Sequence, residues 1–272
     1  MEREDLIETI IHLFRKAETS LGDDIKELLR RALEDEEDEV ARRNLETIIK
    51  SAELAEERGV PVCQDTGIPV IFIELGKEIS LEFNLREAIE EGVRRATEEV
   101  PLRPNVVHPL TRKNSGDNTG RNMPQLHIEL VEGDEMSITV LPKGAGSENV
   151  SKLRMLLPSE VSRIESFILE SVAEAMGKPC PPIFLGVGIG GSFDGAAKLA
   201  KKALLRDARE MSEEEMRIRD MINELGIGPM GLGGKTTALG VYIEMAHCHT
   251  ASLPVALNFQ CWAHRKASAI LR

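Results

Sequence analysis

The sequence predicts a mixed α/β fold: a helical N-terminal arm, then a mixed-sheet region with flanking helices. Two observations carry this. Over residues 1–58 apolar side chains recur every three or four positions with no proline among them, the period of an α-helix. Beyond Gly59 the apolar residues fall into short runs, alternating or continuous, bounded by Gly and Pro and interleaved with helical stretches.

Taken in order, Leu6, Ile7, Ile10, Ile11 and Phe14 form one helical face. Ile25, Leu28, Leu29, Ala32 and Leu33 form a second, and Leu45, Ile48, Ile49 and Ala52 a third. The acidic run EDEEDE at 34–39 reads as a solvated helix junction. Gly59 and Pro61 stop the third helix. "PVIFIEL" at 69–75 reads as a strand, followed by a helix over 84–99 with Asn84 and Glu87 as its capping box. Residues 101–124 show no periodicity, and loops of that length inside compact domains usually serve function. Leu126, Ile128 and Leu130, then Met136, Ile138 and Val140, alternate on either side of a turn and predict a hairpin. Helices are expected at 159–176, 193–206 and 212–224, the last capped by Ser212 with Glu215, and strands at 183–188, 238–245 and 254–259. No internal repeat, low-complexity segment or linker is visible. The expectation is one domain over 1–272, with an arm at 1–58 and an α/β part at 59–272.

A formal charge of −12 argues against a nucleic-acid or anionic-membrane surface, since phosphate binding needs a basic footprint. No apolar run approaches a membrane span, and "MEREDLIETI" lacks the basic and apolar regions of a signal peptide, so a cytoplasmic location is expected.

Two glycine motifs invite nucleotide readings. Gly186, Gly188 and Gly191 fit G-x-G-x-x-G between a strand and a helix, but no run of βαβ units surrounds them and no acid ends a second strand. A tight strand-to-helix turn is the plainer reading. "GPMGLGGKTT" at 228–237 evokes a phosphate-binding loop, yet the position that needs glycine is Pro229, and the strand follows the loop instead of preceding it.

The four cysteines, Cys63, Cys180, Cys248 and Cys261, form no C-x-x-C pair, which excludes a zinc ribbon or thioredoxin-type motif. Cys63, Cys180 and Cys261 each lie near a predicted strand end. Three thiolates can hold an iron–sulfur cube and leave one iron open to an oxygen-bearing substrate. Composition alone leaves open four buried structural cysteines instead.

The blocks "VCQDTG", "RPNVVHPLTRKNSGDNTG", "LPKGAGSEN", "IFLGVGIGGSFDGAAKLAKKALLR", "GIGPMGLGGKTTALGV" and "HCHTASLPVALNFQCWAHR" occur in one order from about residue 5 to the C-terminus. Through them the chain resembles the alpha subunit, or N-terminal half, of the class I iron–sulfur hydro-lyases, fumarase and L(+)-tartrate dehydratase. The resemblance implies a [4Fe–4S] cluster on Cys63, Cys180 and Cys261, with Cys248 spare. It implies that Asp65 protonates or orients the leaving hydroxyl and that His249 tunes that acid. It also implies that Gln64, Arg103 and one of Gly144 and Gly146 bind a dicarboxylate. Asn118 and Thr119 are further pocket candidates, and Lys143 and Lys235 are either pocket cations or surface lysines. The implied partner is a beta subunit supplying the base that removes the C3 proton, in a heterotetramer or other heteromer. Fumarate hydration to L-malate is the expected reaction and L-tartrate dehydration the alternative. Without the resemblance, Asp65 reads as a turn aspartate and His249 as a core histidine. The rival from another class is a non-catalytic cluster- or zinc-binding regulatory or scaffold protein, with Cys248, His247, His249, Cys261 and His264 as zinc candidates.

Overall fold

A computed structural model describes residues 1–100 and 102–272; Pro101, at the head of the expected loop, lies outside the described residues. The elements run α1 (Arg3–Thr19), α2 (Asp23–Asp35), α3 (Glu39–Arg58), β1 (Ile68–Gly76), α4 (Leu85–Glu99), β2 (Gln125–Val131), β3 (Met136–Lys143) and a single turn α5 (Ala145–Glu148). Then follow β4 (Lys152–Leu156), α6 (Ile164–Ala175), β5 (Ile183–Gly190), α7 (Phe193–Ala203), α8 (Glu213–Asn223), β6 (Ala238–Ala246), β7 (Leu253–Gln260) and β8 (Ala267–Leu271). The mixed α/β class with a helical arm is as the sequence predicts. The chain forms two compact units, one of residues 1–22, 52–144 and 265–272, the other of 23–51 and 145–264.

The first unit is built on a sheet of order β2-β1-β3-β8. Its core joins the apolar faces of α1 and α4 to Ile71, Ile73, Met136, Ile138 and Val140. Asn84 caps α4 by accepting from Glu87 N, as expected, but the Glu87 carboxylate accepts from Asn84 Nδ2 where a capping box would have it accept from the Asn84 backbone N–H. The expected hairpin is not formed. β2 and β3 do not pair; β1 runs between them, parallel to β2 and antiparallel to β3. The physical reason lies in burial. β1 is a continuous apolar run and suits a central strand covered on both faces, whereas β2 leaves Ile128 and Leu130 exposed and suits an edge. The 132–135 connection therefore crosses the end of β1. A Cβ on Gly76 would stand 2.5 Å from Gly133 O and 2.7 Å from Glu135 O, so only glycine ends β1 here.

The second unit holds a sheet of order β4-β7-β5-β6, with β5 parallel to β6 and antiparallel to β7. Ser212 and Glu215 make the full capping box of α8. Sequence periodicity misses β4 and β8, five residues each. The 159–176 stretch begins as a 3₁₀ turn at Pro158–Arg163 before α6. The glycine fingerprint is a packing device: a Cβ on Gly186 would meet Ala200 O at 1.9 Å, and one on Gly188 would meet Ala196 O at 2.1 Å. These glycines let α7 lie directly on β5.

The two sheets share one plan. In each, a first strand has a parallel neighbour on one side and an antiparallel return strand on the other, and a short connection crosses the first strand's end. In each, the fourth strand pairs antiparallel with the return strand: β8 with β3, β4 with β7. A cysteine-bearing segment precedes both first strands, Cys63 before β1 and Cys180 before β5.

Candidate active site

In the first unit the opening turn of the site is held by Asp65 and Thr66. Asp65 Oδ1 accepts from Gly67 N at 2.9 Å, the Asx turn that the Asp-Thr-Gly order favours. Gly67 sits at φ +72, and a Cβ there would stand 2.6 Å from Lys143 N. The turn is thus pressed against the end of β3, where a Cβ on Gly144 would lie 3.2 Å from Asp65 Oδ2. Asp65 therefore uses one oxygen in the turn and presents the other at Gly144.

Thr66 Oγ1 accepts from Arg103 N at 3.0 Å, and Asn105 donates to Gly67 O at 2.9 Å, so the Arg103 segment is stitched to the same turn. Asn118 completes the stitching from inside. Buried and at φ +60, it accepts from Asn105 N at 2.7 Å and donates to Arg103 O at 3.0 Å and to Thr97 Oγ1 at 3.1 Å. Its amide is spent on the loop, which makes it a brace and not a pocket group. Thr119 is likewise bonded within the loop, donating to Asp117 Oδ1 at 2.8 Å. The Arg103 side chain is exposed, as is Gln64, while Cys63 is half-buried. Rigid backbone with an exposed guanidinium is a fitting arrangement for gripping a carboxylate.

Lys143 and Arg265 are buried almost completely, and the buried Glu18 pairs with Arg265: Arg265 Nη1 donates to Glu18 Oε2 at 2.7 Å. Burial raises the Glu18 carboxyl to about 7 despite the opposing Arg265 charge, and the Asp65 carboxylate adds to the rise. Sequence reading misses this pair. The signal was present, because Glu18 follows Phe14 by four residues and so carries a charge along an apolar helical face.

In the second unit Cys180 and Cys261 lie at one end of the sheet. β7 runs antiparallel to β5, so Cys261, after Gln260, meets the segment entering β5, and Trp262 N donates to Cys180 O at 3.3 Å. Both thiols are half-buried and in no disulfide. Cys180 adopts φ +56, a conformation rare for a side-chain-bearing residue and typical of functional positions. Gly146, in the single turn α5, is exposed. Buried Ser147 donates to Gln260 Oε1, and Gln260 Nε2 has no hydrogen-bond partner among the described residues.

His247, Cys248 and His249 follow the far end of β6, which is parallel to β5. They stand at the opposite end of the sheet from Cys180 and Cys261, about 25 Å away along a strand of eight residues. All three are exposed; Cys248 donates to Ser252 O, and His249 Nδ1 accepts from Ala251 N at 3.1 Å. The zinc grouping is not assembled, and His264 is turned away to Leu204 O at 2.8 Å. Among the described residues no three His, Cys, Asp or Glu side chains are grouped to hold a metal ion. Lys235 is a surface cation paired with Glu37. Within the EDEEDE junction Glu36 is buried and accepts from Lys235 N, so only its neighbours are solvated. No described helix is long and apolar enough to cross a membrane.

Three half-buried, unbridged thiols are a donor set of the kind that iron–sulfur clusters use, and none is sealed in the core. Residues 7–270 match the model of the fumarate hydratase (fumerase) family. A Methanocaldococcus jannaschii protein provisionally named L(+)-tartrate dehydratase subunit alpha is 51% identical, covering 96% of this chain and 95% of its own. L(+)-tartrate dehydratase subunit alpha of Escherichia coli O157:H7 is 31% identical over 98% of this chain and 90% of its own. A Geobacillus stearothermophilus protein provisionally named fumarate hydratase class I is 35% identical over 97% of this chain but only 54% of its own length.

Proposed function

Since the chain belongs to the fumarate hydratase (fumerase) family, we propose that it is the alpha subunit of a two-subunit hydro-lyase that interconverts fumarate and L-malate. The observation that carries this reading is the single braced assembly formed by the "VCQDTG" turn, the Arg103 segment and Gly144.

In this reading Cys63, Cys180 and Cys261 hold a [4Fe–4S] cluster, and the cluster, when bound, supplies a Lewis-acidic iron to the substrate's oxygens. Arg103 takes a substrate carboxylate through its planar guanidinium. Gln64 and the backbone at Gly144 orient the substrate beside Asp65. Of the two glycines, Gly144 is the one against the acid. Asp65, through Oδ2, delivers the proton to the departing hydroxyl. The base at C3 comes from the partner, a beta subunit. His249 lies at the other end of its sheet from Cys180 and Cys261, and its tuning of the acid rests on the family resemblance alone.

L(+)-tartrate dehydration is the second reading, favoured by the names of the alpha-subunit relatives. The test is to co-express the chain with its partner, reconstitute the cluster anaerobically, and assay fumarate, L-malate and L-tartrate side by side. Fumarate–malate turnover that requires the partner supports the reading. Turnover of tartrate alone moves the assignment to the second reading. Absence of any cluster, with both substrates untouched, overturns both.

A further inference from the structure

Glu18 ends the buried face of α1 with a carboxylate. A helix C-terminus is the end that disfavours anions, and a buried ion pair contributes little stability once both charges are desolvated. An apolar residue would serve the core at least as well, so the acid answers to some other demand.

Its contacts indicate which. Glu18 Oε2 holds Arg265 Nη1 at 2.7 Å, while Oε1 has no hydrogen-bond partner among the described residues, so the carboxylate is directed at the guanidinium. The Glu18 carbonyl accepts from Val62 N at 2.8 Å, which fixes the chain as it enters Cys63, Gln64 and Asp65. At the far side of the guanidinium, Arg265 Nη2 lies 3.6 Å from the point where a Cβ on Gly144 would stand, and Asp65 Oδ2 lies 3.2 Å from that point. Besides the Gly67 bond of the turn itself, two things bear on where Asp65 presents its oxygen, the backbone leading to it and the cation beside it, and Glu18 touches both.

We infer that Glu18 is a positioning residue for the reaction, holding Arg265 beside the Asp65 carboxyl and anchoring the turn that carries it. The inference rests on Asp65 being the acid of the proposed hydro-lyase. Without the Glu18 charge the bond that fixes Arg265 Nη1 is weakened, and the acid loses its aim.

The experiment is Glu18→Gln in the two-subunit enzyme with its cluster loaded, which keeps side-chain size and removes the charge. The expected result is a kcat for fumarate hydration lowered about tenfold to a hundredfold, the scale on which small displacements of reacting groups are felt. KM and the cluster's visible absorption stay as in wild type, the variant still unfolds cooperatively, and Glu18→Asp recovers part of the lost kcat. Wild-type kcat in Glu18→Gln overturns the inference, as does a loss that tracks loss of cluster or fold with no recovery in Glu18→Asp. If Glu18→Gln does not fold, Glu18→Asp decides: reduced kcat at unchanged KM supports positioning, and wild-type kcat refutes it. Asp65→Asn is measured alongside. If it keeps full kcat, the reading of Asp65 is what has failed; if it loses kcat while Glu18→Gln does not, only the present inference fails.

Discussion

Glu18 also makes a thermodynamic prediction, separate from its catalytic one. Its carboxyl titrates near 7 in the fold, because burial outweighs the pull of Arg265, and at an ordinary carboxylate value when unfolded. A raised folded value means that the unfolded chain gives up the proton first as pH rises. The stability attached to Glu18 is therefore complete below about pH 4.5 and is lost progressively up to about pH 7. The full difference is about 3 kcal/mol. Denaturant titrations of wild type and Glu18→Gln across that window should show wild type weakening relative to the variant; parallel curves would mean that Glu18 titrates normally. Arg103 supports a second prediction at this scale. Its backbone is pinned by Thr66 and Asn118, so Arg103→Lys should leave the fold intact and lose only the planar fork. KM for the dicarboxylate should rise roughly tenfold or more, the worth of one charge-assisted bond, with a smaller change in kcat. An unchanged KM would remove Arg103 from the substrate site.

At the scale of elements, much was legible because the forces are local. The arm's three apolar faces, the Asn84 cap of α4 and the Ser212–Glu215 box of α8 involve residues within a turn or two of each other. The hairpin was misread for the opposite reason. Alternation reports which face of a strand is wet, but nothing in β2 or β3 says that β1, fifty residues earlier in the chain, lies between them. The glycine fingerprint was ambiguous in the same way. A strand–glycine–helix pattern serves either a phosphate or a close helix, and the nearness of Ala196 and Ala200 selects the helix. Gly188→Ala should accordingly lower stability by about 1–3 kcal/mol or more, since a methyl group must push α7 off β5. Thermal unfolding measures it. A midpoint equal to wild type would show that the helix can retreat freely.

For the whole molecule, the cysteines supply the sharpest prediction. Cys63→Ser, Cys180→Ser and Cys261→Ser should each abolish or strongly reduce the visible absorption of the reconstituted cluster, and Cys248→Ser should leave it unchanged. Cys248 is exposed in a loop at the sheet end remote from Cys180 and Cys261, bonded to Ser252 O. Retention of the signal in any of the first three variants would break the proposed ligand set.

By itself the sequence determined the fold class, the helical arm, most strands and the family, because periodicity, capping and long ordered motifs are properties of neighbours along the chain. It also placed Asp65, Gly67 and Thr66 in one turn, since an Asx turn closes over two residues. Tertiary structure alone decided the rest. It set β1 between β2 and β3, gave both sheets one plan, assigned Asn118 to bracing Arg103, and sent His249 to the other sheet end from Cys180 and Cys261. It also brought Glu18 to Arg265, 247 residues away. These outcomes depend on which surfaces bury one another, and burial is settled by packing across the chain, where sequence separation carries no information.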